Sequence, residues 1–502
     1  MELNDAVCDA ARRSRDARFD GRFFIAVTTT RVYCRPVCPV PAPKDEHIRY
    51  FPTAAAAEAA GYRPCLRCRP EASPGTPAWS GTSAVVSRSL RLIGDGALDT
   101  TDVERFAAAM GVTARHLRRL FLRHLGATPT AIALTRRLHF AKKLIDETRL
   151  SFAEVAAAAG FGSLRRFNGV IRDVYARTPT ELRRLARRRA PSDANCYQFT
   201  LTYRPPYDWD AMLSFLRARA IPHVEIVEGA CYRRTIAVAG ATGTIAVTPS
   251  HTRSELTLDV RAPQPASLLT IVERVRRMFD LGADPQAVFD RLGSDPLIGE
   301  VLRRHAGLRV PGAWDGFELA VRAILGQQIS VRAASTIAGR VAQLFGTPVA
   351  GEPSLDRLFP QPARLVDAPI ERAGVIAARA ETIRRLARAV DGGAITFNAA
   401  TNPERTIEAL RAIPGIGEWT AQYIAMRALG EPDAFPRGDL VLQREAGART
   451  PTDLGRRAEA WRPWRAYAVL ALWQQATDAW RQRALVLPLD DRSSATRPQK
   501  SA

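Results

Sequence analysis

RAIPGIGEWTAQYIAMRALGEPDAFPRGD, residues Arg411–Asp439, decides how the C-terminal half is built. It reads as the end of one helix, a tight hairpin at Pro414-Gly415-Ile416-Gly417, and a second helix from about Glu418 to Leu429. The glycines permit left-handed backbone angles, so consecutive amides can point outward together at a helix N-terminus. Such a nest of N–H groups holds a phosphate without reading base sequence. A Gly/Pro-rich loop then leads to Asp439, which stands before Leu440-Val441-Leu442-Gln443 and is expected to open the next helix. There the macrodipole favours an ionised carboxylate. Two readings stay open on this stretch alone: a structural hairpin with an N-capping aspartate, or a phosphate-gripping hairpin beside a working carboxylate.

Working outward, 502 residues suggest roughly three to five domains. No run of about 18 apolar residues occurs, and Met1-Glu2-Leu3-Asn4-Asp5 lacks the basic and apolar regions of a signal peptide. A cytoplasmic protein without a membrane partner is expected. The net charge is +21, and residues 1–190 hold 33 Lys+Arg against 18 Asp+Glu, whereas residues 191–502 hold 39 against 33. The basic front half suits a polyanion. An arginine-rich bulk composition would give the same excess, so charge alone decides nothing.

Seven cysteines are an odd number, and four fall as Cys34-x3-Cys38 and Cys65-x2-Cys68, separated by 26 residues. In a cytoplasmic chain that spacing points to one tetrahedral zinc ion rather than to disulfides. Zinc would contribute folding energy to a module, about residues 1–72, too small for a large core. FFIAVTTTRVYCRPVC at Phe23–Cys38 and AAGYRPCLRCRP at Ala59–Pro70 resemble the N-terminal domain of Ada-type methyl-responsive repair regulators. The resemblance implies that Cys34 is both a zinc ligand and an irreversible acceptor of methyl from DNA methylphosphotriesters, with Cys38, Cys65 and Cys68 completing the site. The alternative is a purely structural zinc module. A zinc-bound sulfur stays deprotonated at neutral pH and so remains nucleophilic. Methylation would remove one negative charge facing the phosphates, so methylated protein is expected to bind DNA better.

Glu71–Ala84 reads as a Pro/Gly/Ser linker. Two helix pairs follow, about fifty residues apart and joined by a helix through Leu134–Glu147. Thr101-x-x-Glu104 is a capping-box pattern, and Thr113 is placed to cap a helix bearing Arg115, His116, Arg118 and Arg119. The pattern recurs at Ser151-x-x-Glu154, with a turn at Gly160-Phe161-Gly162 and a helix from about Ser163 bearing Arg165, Arg166, Asn168 and Arg172. Basic and amide side chains near a helix start suit the major groove, though these arginines could equally contact phosphate. The block, SFAEVAAAAGFGSLRRFNGVIRDVYARTPTELRR above all, resembles AraC-type transcription factors.

After a second linker at Ala186–Ala194, residues 200–280 alternate strand, helix, strands, helix, and the pattern is helical from Pro285 to Trp480. YRPPYDWDAMLSFLRARA, FELAVRAILGQQISV, the hairpin stretch and WRPWRAYAVLALW resemble AlkA-type DNA-3-methyladenine glycosylases of the helix-hairpin-helix superfamily. The resemblance implies that Asp439 is catalytic and steadies an oxocarbenium-like sugar, with Asp433 the less favoured alternative. It places the walls of the flipped-base pocket at Phe215, Trp419, Tyr423 and Trp473, and DNA-phosphate contacts at Pro414, Gly415, Ile416 and Gly417. An electron-rich wall would favour cationic alkylpurines by about 0.5–2 kcal/mol. Core aromatics are the bland reading of the same rings.

Two departures stand out. Leu440 replaces an aromatic, and Gln328 occupies the position of the apolar wedge that fills the gap left by a flipped base. Trp419 stands where strand-cleaving relatives carry a Schiff-base lysine, so base excision without lyase activity is expected. No cysteine follows Cys231, which excludes the iron–sulfur cluster of some relatives, and no Pro-Cys-His-Arg motif marks a second methyltransferase domain.

The expected architecture is multidomain and mainly α with α+β parts. It comprises a zinc module (1–72), a double helix-turn-helix domain (85–190), an α+β subdomain (195–284) and an all-α helix-hairpin-helix domain (285–490). The expected protein senses methylated DNA, regulates transcription with RNA polymerase as a partner, and excises alkylated bases. The rival is a methyl-sensing regulator whose C-terminal half keeps the fold but not the activity.

Overall fold

A computed structural model describes residues 4–75, 84–94, 96–186, 195–262, 264–397 and 402–486. Most of both expected linkers, and residues 487–490 of the last expected domain, lie outside the described residues. The chain divides into two compact units: residues 1–206, 237–276 and 281–284 in one, residues 207–236, 277–280 and 285–502 in the other. Among the described residues no helix is long and apolar enough to cross a membrane.

The first unit opens with the helix Asp5–Ser14, capped by Asn4, whose side chain accepts the Val7 amide. Strands β1 (Phe24–Val27), β2 (Val32–Cys34), β3 (Ile48–Phe51) and β4 (Arg63–Pro64) form a sheet of order β3-β1-β2-β4. The decisive pairing is parallel, β2 with β4, in register Val32 to Arg63 and Tyr33 to Pro64. It sets the end of β2 beside the end of β4, and the Cys65 amide bonds the Tyr33 carbonyl at 2.9 Å.

The two helix pairs repeat with a period of fifty residues. Thr113 and Ser163 cap the helices Ala114–Leu125 and Leu164–Tyr175, and Thr128-Pro129 and Thr178-Pro179 open the helices after them. Leu117, Phe121 and Leu125 in one, and Phe167, Ile171 and Tyr175 in the other, recur every four residues and are all buried. The capping box at Ser151 and Glu154 is formed on both sides. The one expected at Thr101 is not: Asp102 caps Val103–Ala109 by accepting the Arg105 amide, and the Thr101 hydroxyl turns back to the Ala97 carbonyl. A carboxylate adjacent to the expected cap is the better acceptor for a helix N-terminus.

The joining helix, Pro129–Glu147, buries charge as well as carbon. Lys142 Nζ lies 2.6 Å from Asp146 and 3.4 Å from Glu71, and Arg69 Nη2 lies 2.8 Å from Asp146. Glu71 therefore belongs to a packed ion cluster, and the expected linker does not begin there. On the same helix Thr135 and His139 reach Glu58, which accepts the Tyr33 hydroxyl at 2.8 Å. Strands β5 (Cys196–Thr202), β8 (Ala241–Pro249) and β9 (Glu255–Arg261) complete this unit, β9 pairing antiparallel with both β5 and β8. Tyr197, Phe199 and Leu201 alternate inward opposite Val260, Leu258 and Leu256.

The second unit contains strand β6 (Glu225–Glu228), paired antiparallel with β7 (Cys231–Val238), and is otherwise helical. Its core gathers the almost wholly buried helix Gly316–Leu325 with Ile383 and Leu386, Leu410, Ile416, Ala421 and Ile424. Arg234 is sealed in this unit against Glu318 at 2.7 Å and Glu225 at 3.5 Å, a buried charge made tolerable by its partners.

Candidate functional site

In the first unit, the β2–β4 pairing and two tight turns converge four thiols. The Cys38 amide bonds the Arg35 carbonyl at 3.1 Å, and the Arg69 amide bonds the Cys65 carbonyl at 3.1 Å. Sulfurs of Cys34, Cys38, Cys65 and Cys68 all lie within 4.8 Å of one another. A tetrahedral zinc with sulfur at about 2.3 Å requires sulfur–sulfur separations near 3.8 Å, so the donor set fits in number, type and spacing. Cys68 is buried and the other three are half-buried. The Arg35 amide donates to Cys68 Sγ at 3.4 Å, while the Arg35 guanidinium donates to the Cys68 carbonyl and to Asp20.

On the helix pairs, Arg115, Arg118, Arg119, Arg165 and Arg166 are exposed, and Asn168 is half-buried. Arg118 pairs with Glu104 at 3.3 Å and Arg119 meets His116 at 3.0 Å. The exposed faces carry the expected basic and amide groups opposite the buried Leu/Phe/Ile/Tyr rows.

In the second unit, Ile413–Gly417 forms the turn between the helices Pro403–Arg411 and Glu418–Arg427. Only Gly415 of the hairpin glycines needs the left-handed region, at φ +97°; Gly417 is extended at φ −83°. A Cβ on Gly415 would stand 2.1 Å from Thr382 Oγ1, and that hydroxyl donates to the Pro414 carbonyl at 3.0 Å. Gln327 buttresses the turn from the other side, its Nε2 donating to the Gly415 carbonyl at 2.9 Å and to Thr420 Oγ1 at 3.0 Å. Ile416 is buried, and its amide is spent on the Ile413 carbonyl at 3.0 Å. The phosphate-facing role expected of Ile416 therefore has no amide to serve it.

Asp439 caps the helix Leu440–Glu445, its Oδ1 accepting the Leu442 amide at 2.9 Å. Its other oxygen, Oδ2, accepts Trp419 Nε1–H at 3.0 Å. The carboxylate is only 4% exposed yet lines a cavity of about 440 Å³. Asp433 does not line it; Arg465 and Arg462 hold that carboxylate, Arg465 through contacts of 2.8 and 2.9 Å. Trp419, Tyr423, Phe215 and Trp473 line the same cavity as Asp439. Trp419 and Tyr423 stack with centroids 5.3 Å apart and planes within 9°. Trp473 lies tilted 6.2 Å from Tyr423 and nearly parallel, at 6.5 Å, to Phe215.

Gln328 is not in the cavity wall; it is exposed, at φ +56°, on the loop that Gln327 fastens to the hairpin. Leu440 is 55% exposed beside Asp439.

Arginines are what the sequence reading missed. Arg219, Arg309, Arg322 and Arg444 line the cavity, and Arg427 stands behind it. The signal was present as i,i+4 spacing, Phe215 to Arg219 and Tyr423 to Arg427. The Arg219 guanidinium sits 3.8 Å from the Phe215 ring centroid and that of Arg427 4.8 Å away, so cations of the chain itself occupy the face of Phe215. Burial raises the Tyr423 phenol, but Arg427 and Arg219 outweigh it and bring its pKa below the ordinary value. A unit positive charge about 7 Å from such a guanidinium is repelled by about 2 kcal/mol at an effective dielectric constant of about 20. That matches or exceeds the cation–π attraction of one aromatic ring, about 0.5–2 kcal/mol.

Family models match the metal binding domain of Ada at residues 7–71, a helix-turn-helix domain at 106–185 and the AlkA N-terminal domain at 198–315. A Mycobacterium tuberculosis protein named "Probable bifunctional transcriptional activator/DNA repair enzyme AlkA" is 42% identical over 477 residues, 93% of this chain and 95% of that one. The chain belongs to this bifunctional AlkA family. The AlkA-type half also matches DNA-3-methyladenine glycosylase 2 of Escherichia coli, 36% identical over 286 residues, 56% of this chain and 98% of that protein. The front half matches the bifunctional transcriptional activator/DNA repair enzyme Ada of Escherichia coli, 35% identical over 118 residues, 24% of this chain and 32% of that protein.

Proposed function

We propose that this AlkA-family chain senses DNA methylation with its thiolate module, regulates transcription through its helix pairs and excises alkylated bases, of the 3-methyladenine kind, with its C-terminal half. The four parts are assigned to residues 1–72, 85–190, 195–284 and 285–490, in a cytoplasmic protein whose partners are alkylated duplex DNA, promoter DNA and RNA polymerase. One observation carries the enzymatic reading. A nearly buried carboxylate, Asp439, is fixed by two hydrogen bonds at the wall of an aromatic cavity that is large enough for a base. A fold kept only for DNA binding has no use for that arrangement.

The geometry supports the following reaction. A base swung out of the duplex enters between Trp419, Tyr423 and Trp473. The C1′–N bond breaks, the electron pair leaves with the base, and the Asp439 carboxylate steadies the positive sugar. Water adds its hydroxyl to C1′, and its proton passes to the Asp439 carboxylate and on to solvent. No lysine stands at Trp419, which supports hydrolysis without strand cleavage. The hairpin at Gly415 and Gly417 holds a phosphate near the lesion.

In the front half, Cys34, Cys38, Cys65 and Cys68 would hold one zinc ion, which when bound keeps the sulfurs as thiolates. Cys34 Sγ takes the methyl carbon from a phosphotriester oxygen, and an ordinary diester leaves. The group then carries one negative charge fewer toward DNA.

The test is release of 3-methyladenine from methylated duplex by wild type and by Asp439→Asn. The expected result is release by wild type and loss of at least about a hundredfold in the variant. A wild type as inert as the variant leaves only a regulator.

A further inference from the structure

Outside the cavity of the second unit stands a histidine that the proposed chemistry leaves without a part. The His305 ring lies between two carboxylates, Nδ1 2.9 Å from Asp208 Oδ2 and Nε2 2.8 Å from Asp478 Oδ2. All three side chains are largely withdrawn from water. Each carboxylate has a second duty. Asp208 caps the helix Trp209–Arg219, its Oδ1 accepting the Ala211 amide at 2.8 Å, and its own amide donates to the Gly307 carbonyl at 3.1 Å. Asp478 Oδ1 accepts from Gln474 Nε2 at 2.9 Å, one turn earlier on the helix Arg465–Val486. The other charged groups around the bridge are Arg304, 3.9 Å from Asp478, and Glu300, 3.8 Å from Arg304. His305 closes the helix Ile298–Arg304, which packs against Arg465–Val486. One imidazole thus fastens the start of the Trp209–Arg219 helix to that packed pair.

We propose that His305 is a positioning residue for excision: by joining Asp208 to Asp478 it fixes the spacing of two helices that build the cavity wall. Ser214 and Phe215 from the first helix, and Trp473, Gln474 and Thr477 from the second, line the cavity that Asp439 shares, whereas His305 does not. Phe215 and Trp473 meet across the junction with centroids 6.5 Å apart and planes within 22°. An exposed bond from Arg481 to Ser214 Oγ, 2.7 Å, crosses the same junction, but a tie open to water holds less firmly than a shielded one. Gln474 is held in the wall by the same carboxylate that His305 grips. A wall assembled from two helices is only as precise as their separation, and a misplacement of about 1 Å costs about a hundredfold in rate. The inference rests on the glycosylase reading and adds to it a residue that acts through others. The hairpin at Gly415 lies on other elements, so the bridge should govern excision and leave the grip on DNA alone.

The experiment compares full-length wild type, His305→Ala, His305→Arg and Asp478→Asn for the limiting single-turnover rate of 3-methyladenine release and for affinity to undamaged duplex. In His305→Ala the limiting rate should fall by about tenfold to a hundredfold, with duplex affinity within about threefold of wild type. His305→Arg, whose guanidinium offers donors to both carboxylates, should restore the rate to within about threefold. Asp478→Asn disturbs the bridge with almost no change of shape and should also slow release; added to His305→Ala it should cost little more. A wild-type rate in His305→Ala, no rescue by arginine, independent losses in the double variant, or a rate loss matched by lost duplex affinity overturns the proposal. Hydrogen–deuterium exchange of residues 209–219 gives a readout apart from excision: faster in His305→Ala and Asp478→Asn, and back to wild-type protection in His305→Arg. Equal exchange in all four proteins overturns the bridge, and Asp478→Asn decides both readouts if His305→Ala does not fold. Wild type that releases no 3-methyladenine defeats the glycosylase reading, and the exchange still judges His305.

Discussion

Replacing Gly415 by alanine tests the hairpin where its geometry is tightest. The residue sits at φ +97°, where an L side chain costs about 1–2 kcal/mol. The new Cβ would lie 2.1 Å from Thr382 Oγ1, closer than any packed contact, and a tight 3.1 Å from its Cγ2, so the turn or Thr382 must move. Overpacking of this kind costs about 1–3 kcal/mol more. The total is about 2–5 kcal/mol, localised to the hairpin. Thr382→Ala by itself loses the bond to the Pro414 carbonyl, about 1 kcal/mol. In the double variant the nearest of these atoms left is Thr382 Cβ at a tight 3.2 Å, so the severe overlap is relieved and mainly the φ penalty and the lost bond remain, about 2–3 kcal/mol. The two substitutions should thus be less than additive. Hydrogen–deuterium exchange of residues 411–427 in the full-length chain reads the local opening energy, and fluorescence anisotropy with undamaged duplex reads the matching loss of affinity. Strictly additive losses, or a Gly415→Ala variant indistinguishable from wild type, would refute the steric account of this turn.

Trp419→Phe keeps a stacking ring but removes the N–H on Asp439 Oδ2; a hydrogen bond to a charged group is worth about 1.5–3 kcal/mol, so single-turnover excision should fall about tenfold to a hundredfold with little change in DNA affinity. Lys142→Met leaves the buried carboxylates of Glu71 and Asp146 with Arg69 as their remaining close cation, and thermal melting should report a loss of about 3–5 kcal/mol, while Met at an exposed site such as Arg105 should cost almost nothing. Burial raises the Asp280 carboxyl to about 6, against the lowering effects of Arg309 and Tyr467. With the folded pKa above the unfolded one, the folded state binds the extra proton, so this group's contribution is full below about pH 4 and is lost as pH rises to about 6. Wild type should therefore lose stability relative to Asp280→Asn by about 2–3 kcal/mol across that window, read by denaturant titration at each pH.

Much of the molecule was legible because its determinants are local. The cysteine spacing announces a four-sulfur cluster, since tight turns around each pair fix two ligands at once. The fifty-residue repeat of caps and buried rows announces two like helix pairs, because capping and the period of 3.6 are decided within a few residues. Asp439 as an N-cap, and Trp419 stacked on Tyr423, follow from their places on one chain segment. Local reasoning failed where two local acceptors compete: at Thr101 and Asp102 the carboxylate takes the cap that the pattern gave to the hydroxyl. It also overstated the hairpin, since only Gly415 is left-handed and the Ile416 amide is already used.

What the sequence by itself determined is therefore the chemistry at hand: four clustered cysteines, basic helix starts, a hairpin, an aspartate at a helix start. What only the tertiary structure decided is which groups face one another. The helix Trp209–Arg219 and the helix after the hairpin meet through Phe215, Arg219, Tyr423 and Arg427, and Trp419 turns its N–H onto Asp439. Glu71 leaves an apparent linker to join Arg69, Lys142 and Asp146. Spacing along a chain fixes neighbours within a turn or two, whereas the charge felt inside a cavity is summed over elements distant in sequence, and packing alone brings those together.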